Sequence, residues 1–111
     1  MPAPSEFSVE MLRGLPVVQV PAELDIANAE LLRAAIFSAA DHGHVTLVID
    51  LASTAFCDSA ALGVLVRGHK RMAAEGGELR LVIQSASLMR IFSVTGVDRV
   101  IPIFKIGRAH V

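Results

Sequence analysis

VTLVIDLASTAFCDSAALGVLV, residues 45–66, predicts a buried strand, a short turn and the beginning of a helix. Residues 45–51 are apolar without alternation, which indicates burial on both faces and a central place in a parallel sheet. The helix begins near Asp58 or Ser59, where unpaired N–H groups and the helix dipole favour negative charge. The predicted inner face of this helix consists of Leu62, Leu65, Val66, His69 and Ala73.

Outward from this stretch, hydrophobic periodicity predicts further strands and helices on both sides. The strands are expected near residues 7–12, 15–20, 79–83 and 100–104, the first two as an antiparallel pair. Asp25 is the predicted N-cap of the first helix, which stops at Gly43. Ser87 is the predicted N-cap of a short third helix, which stops at Gly96.

The order of these elements, ββαβαβαβ, defines the expected fold class. Alternating strands and helices indicate a single α/β domain with right-handed crossovers. We expect a mostly parallel sheet of about five strands with an antiparallel edge, and helices packed mainly on one face. Three segments follow: an N-terminal tail at residues 1–6, the domain at 7–104 and an irregular tail at 105–111.

The C-terminal tail departs from this pattern, which is expected to close with another helix. Residues 105–111 show no helical periodicity. Residues 106–111 also look like the translation of a common sequencing-adapter sequence. We therefore hypothesise that the tail is an artefact and that a native C-terminal helix is missing.

The composition argues against several classes of protein. The 111 residues are 53% hydrophobic, which suits one domain, and a net charge of −1 argues against a dedicated nucleic-acid binder. The single cysteine, Cys57, excludes an intramolecular disulfide and fits a reducing cytosol. There is no signal-peptide pattern and no apolar stretch of about 20 residues. We therefore expect a cytoplasmic protein that binds neither membranes nor nucleic acid directly.

Two motifs resemble signatures of the STAS domain, as found in bacterial anti-sigma factor antagonists. FCDSAALG at residues 56–63 is similar to the phosphorylation site of that family. ELD at residues 23–25 is similar to its signature at the start of the first helix. The resemblance runs from about Phe7 to Phe104, and the order of elements matches as well. It departs at Ala22 and Ala61, where the family usually or often has glycine.

The resemblance implies a function and a set of site residues. It identifies Ser59 as a phosphorylation site and implies Asp25, Asp58, Ser59 and Ala60 as partner-binding residues. The implied partner is an anti-sigma factor that is also a serine kinase, and a serine phosphatase would reverse the modification. Binding of the unphosphorylated chain would release a sigma factor. We expect a binding module that is not an enzyme and uses no cofactor or metal.

Other interpretations of the same residues remain open at this point. Asp58 or Ser59 is, on position alone, simply a helix cap. A scaffold STAS domain, in a stressosome-like assembly or as a lipid-transporter subunit, would need no phosphorylation cycle. A Ser59-dependent hydrolase would require a base, and the surroundings are not Gly-x-Ser-x-Gly.

Three further residue types have a structural and a functional interpretation. Cys57 is expected to be a small buried hydrophobe, the alternative being a reactive thiol at a helix N-terminus. His42 and His44 fit a solvated loop better than a metal site, because no other ligand is near in sequence. Asp50 ends a strand as in receiver domains, but the acidic pair that such domains use for Mg²⁺ is missing.

Overall fold

A five-stranded sheet forms the centre of the fold. The computed structural model describes residues 7–105. The predicted N-terminal tail at 1–6 lies outside the described residues, and so does the predicted irregular tail at 105–111 except for Lys105, which is the last residue of a strand. The strands are, in chain order, β1 (Val9–Leu12), β2 (Leu15–Gln19), β3 (Glu23–Leu24), β4 (Thr46–Leu51), β5 (Phe56–Cys57), β6 (Glu78–Ile83) and β7 (Ile103–Lys105). The main sheet has the order β1-β2-β4-β6-β7. The β1–β2 pair is antiparallel and the other pairs are parallel, which confirms the predicted topology.

The helices of the described part connect the parallel strands. They are α1 (Ala29–Asp41), α2 (Ser59–Ala74) and α3 (Ala86–Thr95), and a 3₁₀ turn (Val97–Arg99) follows α3. Gly43 and Gly96 have φ angles of +86° and +83°, so the predicted left-handed glycines at these helix ends are confirmed. Among residues 7–105, each helix falls short of the length and apolarity needed to cross a membrane.

The central strand β4 is buried on one face and not on both. Leu47, Ile49 and Leu51 are fully buried, whereas Thr46, Val48 and Asp50 are only half-buried. The alternation in β6 is the same. The prediction of burial on both faces was wrong, because the buried strand residues pack with those of the helices in one core on one side of the sheet. The expectation of helices mainly on one face is confirmed.

The buried face of α2 is rotated from the predicted one. Its buried residues are Ala61, Val64, Leu65, Gly68 and Met72. Leu62, Val66 and His69 are half-buried and Ala73 is exposed, so of the predicted set only Leu65 is in the core. Apolar residues occupy nearly every position from Ala60 to Val66, and such a run does not define which side of a helix faces inward.

Two predicted helix caps were also wrong. The N-cap of α1 is Asn28 and not Asp25, because Asp25 instead opens a turn that precedes the helix. The carbonyl oxygen of Asp25 accepts hydrogen bonds from the N–H groups of Asn28 and Ala29 in that turn. The N-cap of α3 is Ser85, whose hydroxyl accepts from the Leu88 N–H at 3.2 Å, and not Ser87.

A second, smaller sheet lies outside the main one. It consists of β3 and β5, which pair in parallel and are called the ribbon below. The predicted order of elements contains neither strand, because two residues are too few to show a periodicity of two. The ribbon places the segments before α1 and α2 side by side.

Candidate functional site

The ribbon brings together two motifs whose paired residues are 33 positions apart in the sequence. Glu23 pairs with Phe56, and Leu24 pairs with Cys57. Two more backbone hydrogen bonds extend the pairing at its ends, from the Ala55 N–H to the Ala22 carbonyl and from the Asp58 N–H to the Leu24 carbonyl. Leu24 and Cys57 are buried, so the ribbon is attached to the core through its inner side.

Asp58 joins both motifs through one carboxylate. It has the extended backbone of an N-cap, and its Oδ1 accepts a hydrogen bond from the Ala61 N–H at 2.9 Å. Its Oδ2 accepts from the Ile26 N–H, also at 2.9 Å. The side chain therefore caps α2 and holds the segment before α1 at the same time.

Asp25 and Asn28 fix the shape of that segment. Asp25 Oδ1 accepts a hydrogen bond from the Ala27 N–H at 2.9 Å. The Asn28 side chain accepts from the Asp25 N–H at 2.9 Å and donates to the Glu23 carbonyl at 3.0 Å. Asp25, Ile26 and Ala27 thus have their N–H groups bound to side chains, and the turn has little freedom left.

Ser59 is the first residue of α2 and is exposed. Because the cap hydrogen bond of this helix belongs to Asp58, the Ser59 hydroxyl is not used for capping. The Ser59 and Ala60 N–H groups lie in the first turn, where a helix has no carbonyl to offer them. The position therefore presents a hydroxyl to solvent beside donors that favour an added negative charge.

The comparisons with known proteins identify the family of this chain. The family model described as the STAS domain matches residues 6–106. The chain belongs to the STAS domain family. A relative with the name anti-sigma-B factor antagonist, from Bacillus subtilis, is 35% identical over 86 residues, which are 78% of this chain and 78% of that protein.

Solved STAS domain structures show the same fold. An anti-sigma factor antagonist from Mycobacterium paratuberculosis has a TM-score of 0.77 and 29% identity, over 94% of this chain and 90% of that one. SpoIIAA in its unphosphorylated form has a TM-score of 0.77 and 23% identity, over 94% and 90% of the two chains. The phosphorylated form of SpoIIAA, at 24% identity, gives 0.70 over 94% of each chain, so both forms share this fold.

Cys57 of this STAS domain is a structural residue. Its side chain is buried, with 3% of its surface exposed, and it packs in the core. Burial and, second, the charge of Asp58 raise the pKa of the Cys57 thiol from its ordinary value of 9.0 to about 12. The thiol is therefore protonated at neutral pH, which confirms the interpretation as a small buried hydrophobe.

The ribbon is attached to the rest of the STAS domain by side chains as well. Thr54 is 1% exposed, and its hydroxyl donates to the Pro21 carbonyl at 2.7 Å. The Ser87 hydroxyl, at the start of α3, donates to the Ala55 carbonyl at 3.3 Å. These contacts connect the segment before β5 to the end of β2 and to α3.

Of the predicted site residues, the structure brings Asp25, Asp58, Ser59 and Ala60 to one end of the ribbon. It does not support a metal site in the part of the chain that it describes, where no group of three or more His, Cys, Asp or Glu side chains converges. His42 instead lies with Nδ1 2.7 Å from the Ser38 carbonyl oxygen, at the C-terminal end of α1.

Sequence reasoning missed two exposed apolar residues at this site. Ile26 is 79% exposed and Phe56 is 47% exposed. The predicted cap at Asp25 would place Ile26 in the first turn of a helix, whereas Ile26 lies on an exposed turn before α1. Phe56 could have been found, since it is two residues before Asp58 and extended residues two apart share a face.

Proposed function

We propose that this STAS domain is an anti-sigma factor antagonist whose partner binding is controlled by phosphorylation of Ser59. The observation that carries the proposal is the exposed Ser59 hydroxyl at the start of α2, left available because Asp58 makes the cap hydrogen bond. The curated relative from Bacillus subtilis, with its name of anti-sigma-B factor antagonist, supports the same function.

The proposed cycle has three proteins besides this chain. The unphosphorylated form binds an anti-sigma factor, which is also a serine kinase, and a sigma factor is thereby released. The kinase then transfers a phosphoryl group to the Ser59 hydroxyl and the complex dissociates. A serine phosphatase restores the binding form. We place Asp25, Asp58, Ser59 and Ala60 in the contact surface, and the cycle in the cytoplasm.

The charge of a phosphate on Ser59 explains why phosphorylation would leave the fold intact and still weaken partner binding. Phosphorylation adds about −1.5 to −2 charges at pH 7 next to the Asp58 carboxylate. The fold accepts this charge at the N-terminus of α2. A partner surface that closely fits the serine must instead accommodate an unmatched, desolvated charge. Such a mismatch costs several kcal/mol, and each 1.4 kcal/mol is about tenfold in affinity.

The chain supports a binding role better than a catalytic one. A hydrolase would need a general base within hydrogen-bond reach of Ser59. His69 is ten positions further along α2, or about 15 Å at the helical rise of about 1.5 Å per residue. His42 and His44 precede β4, whereas Ser59 follows its opposite end.

Two substitutions of Ser59 test the proposed function. The purified anti-sigma serine kinases of the source organism are titrated one at a time with the wild-type chain, Ser59→Ala and Ser59→Asp. For the cognate kinase, Ser59→Ala should bind within about twofold of wild type, and Ser59→Asp at least about tenfold more weakly. Ser93→Asp, on the exposed side of α3, is the charge control and should bind like wild type.

The same titration separates the phosphorylation switch from a scaffold role. Equal binding of Ser59→Ala and Ser59→Asp would contradict the switch and favour a scaffold STAS domain without a phosphorylation cycle. Mass spectrometry after incubation with kinase and ATP should find phosphate on Ser59 in the wild type and none in Ser59→Ala.

A further inference from the structure

We propose that Ile26 and Phe56, named the anchor pair here, are the apolar residues through which the unphosphorylated chain binds its protein partner. The partner surface that fits them has apolar pockets bordered by Lys or Arg side chains. This inference rests on the proposed function, because it describes the surface around Ser59, and it assigns the recognition of the partner to residues other than the phosphorylation site.

The first argument is the exposure of Ile26 on a rigid turn. Its side chain is 79% exposed, although isoleucine is among the residue types most often buried. Its backbone is nevertheless held by the 2.9 Å hydrogen bond to Asp58 Oδ2. A large apolar side chain on a fixed backbone loses little further entropy when it enters a pocket, as is typical of residues that dominate binding energy.

The second argument is the alternation along the ribbon. Leu24 and Cys57 point into the core, whereas their neighbours Glu23 and Phe56 are exposed on the outer side. Asp58, two residues after Phe56, lies on that outer side as well. Phe56 is thus exposed on one strand of the ribbon, and Ile26 follows the other strand, where its N–H is bonded to Asp58, the residue before Ser59.

The third argument is the charge around the anchor pair. The exposed and half-buried acids on this side are Glu23, Asp25 and Asp58. Residues 14–32 and 45–66 contain no Lys or Arg. Of the two nearest arginines, Arg33 on α1 is paired with Glu30 at 2.6 Å, and Arg67 on α2 extends toward Gly63. An acidic rim around apolar side chains favours a partner of opposite charge, which also accelerates the encounter.

Asp58 is the positioning residue of the anchor pair. In Asp58→Asn, the amide oxygen keeps an acceptor for the Ala61 N–H, but the amide nitrogen cannot accept from the Ile26 N–H. The variant should therefore keep the α2 cap and release Ile26. Its affinity for the partner is expected to lie between those of the wild type and of Ile26→Ser.

The experiment uses controls of matched exposure. Ile26→Ser is compared with Val94→Ser, since Ile26 and Val94 are each 79% exposed. Phe56→Ala is compared with Val100→Ala, since Phe56 and Val100 are each 47% exposed. Dissociation constants are measured with the purified cognate anti-sigma serine kinase. We expect Ile26→Ser and Phe56→Ala to bind at least about tenfold more weakly, and both controls within about twofold of wild type.

The Ser59→Asp variant, measured in parallel, keeps the two proposals distinguishable. If Ser59→Asp loses binding while Ile26→Ser and Phe56→Ala bind like wild type, the anchor pair is wrong and the proposed function stands. If Ser59→Asp binds like wild type, the proposed function fails instead. If the anchor variants bind the kinase normally and only abolish self-association of the chain in sedimentation experiments, the pair contacts a second copy and the inference is overturned.

Discussion

At the residue scale, Asp58 shows what a sequence can and cannot predict. Its role as a cap of α2 is predictable, because aspartate before an apolar helix is a preferred cap and the cap bond is local. Its bond to the Ile26 N–H is not predictable from spacing, since that donor is 32 residues away. The sequence left Asp58 and Ser59 as equal candidates for the cap. The structure assigns the cap to Asp58.

Cys57 provides a prediction about pH. Its pKa in the folded chain is about 12, against an ordinary value of 9.0, so the unfolded chain loses the thiol proton first as pH rises. The stabilisation from this thiol is therefore complete below pH 9.0 and is lost between pH 9.0 and about 12. Urea titrations should show the free energy of unfolding falling less steeply across this range in Cys57→Ala than in the wild type.

The reactivity of the same thiol gives an independent check. In the folded wild type, Cys57 should react with a disulfide reagent much more slowly at neutral pH than it does in urea, because it is buried and protonated. Equal rates in both conditions, or parallel pH curves for the wild type and Cys57→Ala, would contradict the raised pKa.

At the element scale, the packing of α1 on α2 depends on one glycine. A Cβ atom on Gly68 would lie 2.8 Å from Cδ1 and 2.9 Å from Cγ2 of Ile36. Gly68 is therefore the position at which α2 packs directly against the Ile36 side chain of α1. The predicted inner face of α2 omitted it, because glycine carries no hydrophobic signal for a periodicity argument.

Substitution of Gly68 should destabilise the domain through this contact. Gly68→Ala is expected to lower the free energy of unfolding by about 1–3 kcal/mol, because Ile36 is fully buried and has to move. The cost should be smaller in an Ile36→Ala background, and a double-mutant cycle in urea measures the difference. Gly63→Ala is the control, since its Cβ would meet only the mobile end of Arg67 at 3.1 Å. Additive effects of Gly68→Ala and Ile36→Ala would refute the contact.

Periodicity predicted the longer elements and failed on the shortest ones. The helices were found because their apolar residues recur at helical spacing, and β4 was found because it is a continuous apolar run. The ribbon was missed because each strand has two residues, and its existence depends on contacts across 33 positions. The cap of α1 moved from Asp25 to Asn28 because the Asp25 side chain makes a turn instead, a local competition that composition does not decide.

At the scale of the whole molecule, the ribbon depends on a few contacts between loops. In the loop after β2, the Val20 N–H donates to the Asp50 carbonyl of β4. The Thr54 hydroxyl, in the loop after β4, donates to the Pro21 carbonyl. Thr54 is the one buried polar residue among the described residues. These hydrogen bonds between loops therefore connect the site to the main sheet.

Thr54→Val tests this dependence. The substitution keeps the shape and removes the hydroxyl donor, so the hydrogen bond to the Pro21 carbonyl is lost at a cost of about 0.5–1.5 kcal/mol. Urea unfolding should show this loss, and binding of the anti-sigma serine kinase should weaken in parallel. Thr46→Val, on the half-buried side of β4, is the control and should change both quantities little. Unchanged stability in Thr54→Val would mean that the hydroxyl does not support the ribbon.

Around the ribbon, some side chains can change during evolution without disturbing the fold, and other groups cannot. Ile26 and Phe56 point away from the core, so their side chains can be exchanged during divergence without repacking the domain. The backbone N–H of Ile26 and the carboxylate of Asp58 have to remain as a pair. The two proposals imply that duplicated genes with this arrangement can acquire separate partners through changes at these two surface positions, while the proposed switch at Ser59 stays unaltered.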